Sequence, residues 1–170
     1  MPRSSEENIQ RLVRQVGENL SAHKLKLCSA ESCTGGWIAQ VVTSIPGCSS
    51  WFDTGFVTYS NQSKKRLLQV PGDLLEPTSG APGAVSEQVV LAMAAGALQN
   101  SDAQVAVATS GVAGPEGGSD EKPVGTVWIG WSRQNHDSYA RQFHFEGDRY
   151  SVRVATVEKA LEGLLKIVTA

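Results

Sequence analysis

The chain has 170 residues, of which 41% are hydrophobic and 19% charged, with a formal net charge of -2. That length fits one domain spanning residues 1–170, able to bury about 70% of its unfolded surface without a disulfide or metal staple. The near-neutral balance excludes a nucleic-acid binder held by a field of Lys and Arg.

Ser4-x-x-Glu7 has the form of a capping box, and Ile9, Leu12, Val13, Val16 and Leu20 behind it repeat at helical spacing, which predicts a helix over residues ~5–21. Leu25, Leu27 and Ser29 alternate with Lys24, Lys26 and Cys28 as a short strand that runs into Ser32-Cys33-Thr34-Gly35-Gly36. Trp37, Ile38, Val41 and Val42 then give a second helical face, ended before Ile45-Pro46-Gly47. Residues 51–59, aromatic and β-branched, read as a strand, and Ser60 or Asn61 can cap a helix that stops at Pro71-Gly72. Residues 72–83 read as loop, and Ser86 caps a helix carrying Val89, Val90, Met93, Ala94, Ala97 and Leu98. The run 104–109 suits a central strand buried on both faces. A Gly/Pro loop, 111–123, separates it from strands 124–132 and 138–145, joined by a hairpin-length connection. A last helix starts near Asp148.

This order of elements predicts an α/β fold: a three-layer α/β/α sandwich around a mixed, mainly parallel sheet with one antiparallel hairpin. Ligands of such sheets bind beyond the carboxyl ends of the strands. Of the 17 glycines, about a tenth of the chain against a usual ~7%, six fall in two loops of that kind. They are 32–36 and 110–118. A strand, small residues and a helix N-terminus together offer free backbone N–H groups to an anion or to a developing oxyanion. Ser32 stands at the first such junction, where it serves either as a nucleophile or, with Thr34, merely as a helix cap. Neither loop matches GxxxxGK[ST], GxGxxG or GxSxG.

No histidine lies next to a glycine loop, so a serine nucleophile would need another base. Lys64, early in the helix after Tyr59, is a candidate; the plainer reading makes Lys64, Lys65 and Arg66 a solvated helix face. The four tryptophans, Trp37, Trp51, Trp128 and Trp131, read as core and sheet-face residues. The odd set Cys28, Cys33 and Cys48 reads as reduced thiols. With no apolar signal segment and no membrane span, a cytoplasmic location and no membrane partner are expected.

AESCTGG (30–36), YSNQSK (59–64), GAVSEQV (83–89), SGVAGPEGG (110–118), KPVGTV (122–127) and FEGDRYSVR (145–153) resemble, in order over nearly the whole chain, the motif series of the CinA C-terminal domain family. The resemblance implies deamidation of nicotinamide mononucleotide (NMN) to nicotinic acid mononucleotide and ammonia, in pyridine nucleotide recycling, with no cofactor and no metal. It makes Ser32 the nucleophile and Lys64 its base, with Tyr59 assisting. It places Glu31, Thr34, Gly35, Gly36, Ser110, Gly111, Gly114 and Arg149 at the substrate, and leads us to expect a homodimer. Full-length family members add an N-terminal metal-dependent pyrophosphatase domain, whose activity is not expected of residues 1–170. The chain departs from the pattern at Ser110, where the family often has Thr, and at Pro82, where it often has His.

As a base, Lys64 would need its pKa lowered from ~10.4 to about 7.5, by burial or by a cation such as Lys65 or Arg149. Arg149 would hold the substrate phosphate, the alternative being a surface pair with Asp148 or Glu146. The rival from another class is a non-catalytic nucleotide- or protein-binding module of a competence- or damage-linked pathway.

Overall fold

The computed structural model describes residues 2–78 and 80–170, the side chains of residues 2–4 excepted. Helix α1 spans Pro2–Ala22 and so begins ahead of the expected Ser4 capping box, whose Ser4 side chain lies outside the described residues. Lys24 turns at φ 54 and Leu25 N–H closes on Leu20 O at 2.9 Å, so Leu25 ends the helix and does not open the strand. Strand β1 is therefore Leu27–Glu31, three residues later than the alternation from Lys24 suggested. All five of its residues are buried, because it is an interior strand covered on both faces.

Helix α2, Trp37–Thr43, and strand β2, Phe52–Val57, follow. Helix α3, Asn61–Leu68, begins where Ser60 Oγ accepts Ser63 N–H at 3.1 Å. The segment expected to be all loop opens instead with one helical turn, α4, Gly72–Leu75, which drives Leu75 into the core. Helix α5, Glu87–Gln99, is capped by Ser86 as expected. Strands β3, Val105–Gly111, β4, Thr126–Arg133, and β5, Tyr139–His144, precede helix α6, Arg149–Val168, whose cap is Asp148.

The five strands lie in the order β2-β1-β3-β4-β5. β1 runs parallel to both β2 and β3, and β4 runs antiparallel to β3 as well as to β5. The hairpin β4–β5 was expected; the antiparallel pairing of β3 with β4 adds a second to the mixed sheet. Residue parity sorts the faces. Val105 and Val107 join Leu27, Val127 and Ile129 beneath α1, α2 and α6, whereas Ala106 and Ala108 join Cys28 and Ala30 beneath α3, α4 and α5. The chain is thus a three-layer α/β/α sandwich.

Small residues let α5 lie close. A Cβ at Gly130 would come within 3.1 Å of the Val90 backbone, and one at Gly96 would stand 1.9 Å from the carbonyl oxygen of Leu68. Gly96 is therefore the notch that seats the end of α3 on α5. At the other end of α3, the parallel strands deliver their last residues side by side: Thr58 N–H reaches Glu31 O at 2.8 Å and Ser32 N–H reaches Thr109 O at 3.0 Å. Thr58, Ser32 and Ser110 thus emerge as neighbours at one edge of the sheet.

Gly96→Ala should cost about 1–3 kcal/mol through forced separation of α3 from α5, lowering the thermal midpoint by roughly 3–10 °C. Calorimetry tests this. An unchanged midpoint would contradict the notch.

Candidate active site

The turn after β1 is shaped by Gly35 at φ 60 and Gly36 at φ 95, a left-handed pair that side-chain-bearing residues rarely adopt. Gly35 N–H closes on Ser32 O at 3.0 Å. Neither Ser32 nor Thr34 caps α2: the cap residue is Gly36, with no side-chain bond. Glu31 supplies that function from the strand. Its buried carboxylate accepts Ile38 N–H at 2.8 Å and Ala39 N–H at 3.1 Å, a favourable place for negative charge at a helix start. Both oxygens are committed there, so Glu31, expected at the substrate, is placed as a support of the turn. Thr34 Oγ1 meets Thr109 Oγ1 at 2.9 Å and ties the turn to β3.

Lys64 points inward from the first turn of α3 and is only 1% exposed. Its Nζ lies 2.9 Å from Ser32 Oγ, 2.7 Å from Thr58 O and 3.1 Å from Tyr59 O. The solvated-face reading therefore fails for Lys64. It holds for Arg66, which is exposed, and for Lys65, which pairs with Glu76. Among the described residues Lys64 has no carboxylate partner. Burial away from water disfavours the ammonium and pulls its pKa down from 10.5 to about 8, against a small opposing contribution from Cys33. Burial is the cause, and neither Lys65 nor Arg149 is needed.

As an ammonium, Nζ donates to all three oxygens, Ser32 Oγ included. Once neutral it keeps two N–H bonds, to the Thr58 and Tyr59 carbonyls, and turns its lone pair to the Ser32 hydroxyl, which then donates to it. Cys33, beside Ser32, is no competitor as a nucleophile, because burial pushes its thiol up to about 12. Ser32 itself is 8% exposed.

Tyr59 contributes its backbone carbonyl to Lys64, while its ring is 60% exposed and its hydroxyl accepts Arg149 Nη2 at 2.8 Å. The phenol is thus directed to Arg149 rather than into the dyad. Arg149 also donates to Gly114 O at 2.7 Å, in place of the surface pair with Asp148 or Glu146. Because β1 lies between β2 and β3, this Tyr59–Arg149–Gly114 bridge crosses above the end of the strand that carries Ser32. Ser110 is buried next to Ser32. Gly111 and Gly114 lack a Cβ because Val127 and Val124 would stand 2.6 and 2.5 Å from one, so protein packing requires these glycines. Among the described residues no cluster of three or more His, Cys, Asp or Glu is placed to hold a metal ion.

Three contributors escaped the sequence reading: the Thr58 carbonyl, the Thr109 hydroxyl and Arg153. Arg153 Nε donates to Cys33 O at 3.2 Å and its Nη2 to Thr34 O at 3.0 Å. One signal could have found it: Arg153 stands four residues after Arg149, on the same face of α6.

Residues 9–168 match the family described as CinA C-terminal domain. The chain is 49% identical to a Pseudomonas putida protein named nicotinamide-nucleotide amidohydrolase PncC, over 93% of this chain and 96% of that one. It is 46% identical to a protein of the same name from Escherichia coli strain K12, covering 94% of each. Among solved structures, the competence/damage inducible protein CihA of Agrobacterium tumefaciens superposes with a TM-score of 0.90 at 41% identity, covering 96% of both chains.

The lowered pKa fixes a sign for stability. Between about pH 8 and 10.5 the unfolded chain holds a proton on Lys64 that the native state has released, so Lys64 makes stability rise with pH across that window. Lys64→Met should remove this rise and be more stable than the parent below pH 8, as measured by denaturant unfolding at a series of pH values. Parallel profiles for the two proteins would contradict the buried amine.

Proposed function

This chain belongs to the CinA C-terminal domain family, and from that premise we propose that it is an amidohydrolase that converts NMN and water into nicotinic acid mononucleotide and ammonia. The names of relatives 46–49% identical over nearly their full length support the substrate. The observation that carries the chemistry is the buried Lys64 amine 2.9 Å from Ser32 Oγ, without a counter-ion among the described residues.

With a pKa of about 8, about a quarter of Lys64 is neutral at pH 7.5, against about 0.1% for an ordinary lysine. In the proposed mechanism, the neutral amine takes the Ser32 proton as Oγ attacks the carboxamide carbon. The resulting ammonium keeps the Thr58 and Tyr59 carbonyls as acceptors, so its new charge forms where partners already stand. The tetrahedral oxyanion is met by backbone N–H groups of the turn after Ser32. Lys64 then returns the proton to the leaving nitrogen, ammonia departs, and Lys64 activates the water that frees the acid from the acyl-serine.

NMN is anionic at its phosphate, which needs a local positive site and not a basic surface. Arg149 supplies it by exchanging the Tyr59 hydroxyl or the Gly114 carbonyl for phosphate oxygens, which it can hold as a fork. A non-catalytic binder would have no use for an unpaired buried lysine aimed at a serine.

Incubating the purified chain with NMN should release ammonia, with Ser32→Ala lowering kcat by at least about 10³-fold. Arg149→Ala should raise KM about tenfold or more with a smaller change in kcat. No ammonia from the parent, or equal ammonia from Ser32→Ala, would contradict the amidase and favour the binding module.

A further inference from the structure

Arg149 and Arg153, one turn apart on α6, reach the two glycine loops separately: Arg149 donates to Gly114 O in the 110–118 loop, and Arg153 to Cys33 O and Thr34 O in the turn after Ser32. A trans peptide sets its C=O and N–H on opposite sides. With Arg153 holding the Cys33 carbonyl from the α6 side, the Thr34 N–H is turned away from α6. The Thr34 carbonyl, held by the same guanidinium, turns Gly35 N–H back to Ser32 O, closing the turn at 3.0 Å.

Two amides are left over. Among the described residues, neither Cys33 N–H nor Thr34 N–H donates to another residue, the Cys33 amide meeting only its own thiol, although both residues are buried. Unpaired buried amides are costly and uncommon. These two sit one and two positions after Ser32, where an oxyanion formed on its acyl carbon would need donors. Arg153 is well fixed for holding them: it lies over the Trp37 ring, 5.1 Å from the centroid, and is partly buried. A cation on a peptide carbonyl also polarises the N–H of the same peptide, strengthening it as a donor.

We infer that Arg153 is a positioning residue for the oxyanion hole: holding the Cys33 carbonyl it aims Thr34 N–H, and holding the Thr34 carbonyl it keeps Gly35 N–H on Ser32 O, which in turn sets Cys33 N–H, so that both amides face the tetrahedral intermediate. It rests on Ser32 being the nucleophile. It does not rest on the choice of NMN. Arg149 and Arg153 thereby divide their work: the first holds ground-state substrate, and the second shapes the transition state without touching substrate.

A fluorophosphate ester separates these roles, because its phosphoryl oxygen must enter the same hole. Ser32 Oγ forms the bond to phosphorus, the P–F bond breaks, fluoride leaves and Lys64 takes the proton. Diisopropyl fluorophosphate labelling of Ser32 in the full chain, followed by mass spectrometry over pH 6–10, should be about 100-fold slower in Arg153→Gln. Arg153→Lys keeps the charge but cannot bridge two carbonyls, and should be about tenfold slower. Both variants should keep the labelling midpoint near pH 8, since Lys64 is untouched, and with NMN should lose kcat with KM within about threefold. Should Arg153→Gln fail to fold, the Lys variant decides alone. Labelling within threefold of the parent in the folded variants, or a midpoint displaced by a unit with full recovery at high pH, would overturn the assignment. A parent that labels at Ser32 but leaves NMN intact overturns the substrate only; a parent that never labels overturns both.

Discussion

A lysine amine shut away from water, with no carboxylate partner among the described residues, is the constraint around which the molecule is arranged. Such a group destabilises its own charged form, and the fold has to supply that destabilisation from packing elsewhere. Lys64 is held against Ser32 from both ends of α3. At one end Ser60 caps the helix and sets the phase at which Lys64 turns inward; at the other, the Gly96 notch brings the Leu68 carbonyl against α5. The Thr58 and Tyr59 carbonyls, which follow β2 beside Ser32 because β1 and β2 run parallel and pair regularly from Cys28↔Thr54 to Glu31↔Val57, complete the seat.

Opposite Lys64, the turn after Ser32 is held by charges placed behind it. Glu31 fixes the start of α2 from within the sheet, and Arg153 fixes two carbonyls of the turn from α6. Neither needs to touch a substrate to matter. The turn is short and built on two left-handed glycines; Cys33 packs into the core and Thr34 bonds to β3, and the remaining backbone shape is held by these neighbours. Arg149 then joins the β2 side to the β3 loop over the same strand end, which places a guanidinium at the mouth with no carboxylate paired to it among the described residues.

The layers, the cap Ser86, a cap at Ser60 or Asn61 and the helix start near Asp148 were legible in the residues, because helical phase and strand ends leave periodic or punctuating marks. The pairing of Ser32 with Lys64 is implied by the family resemblance, since spacing alone leaves Lys64 on a solvated face. The antiparallel turn of β4 against β3 was not legible, since the long 112–125 connection carries no register signal. Glu31 was misplaced for a related reason: its position beside Ser32 in the chain suggested the substrate, whereas strand alternation sends its side chain to the opposite face of the sheet, under α2. The contacts of Lys64 with Thr58 and Tyr59 run through backbone carbonyls, on which side-chain identity is silent. Arg153 left a faint mark only, one helical turn beyond Arg149 inside a motif whose other residues drew the eye.

The most direct test of the buried base is to follow the Lys64 Nζ or Cε resonance by NMR as pH is raised, using Lys64→Met to assign it. A midpoint near 8 is expected for the amine held between Ser32 and the two carbonyls. A midpoint near 10.4, that of a solvated lysine, would contradict it.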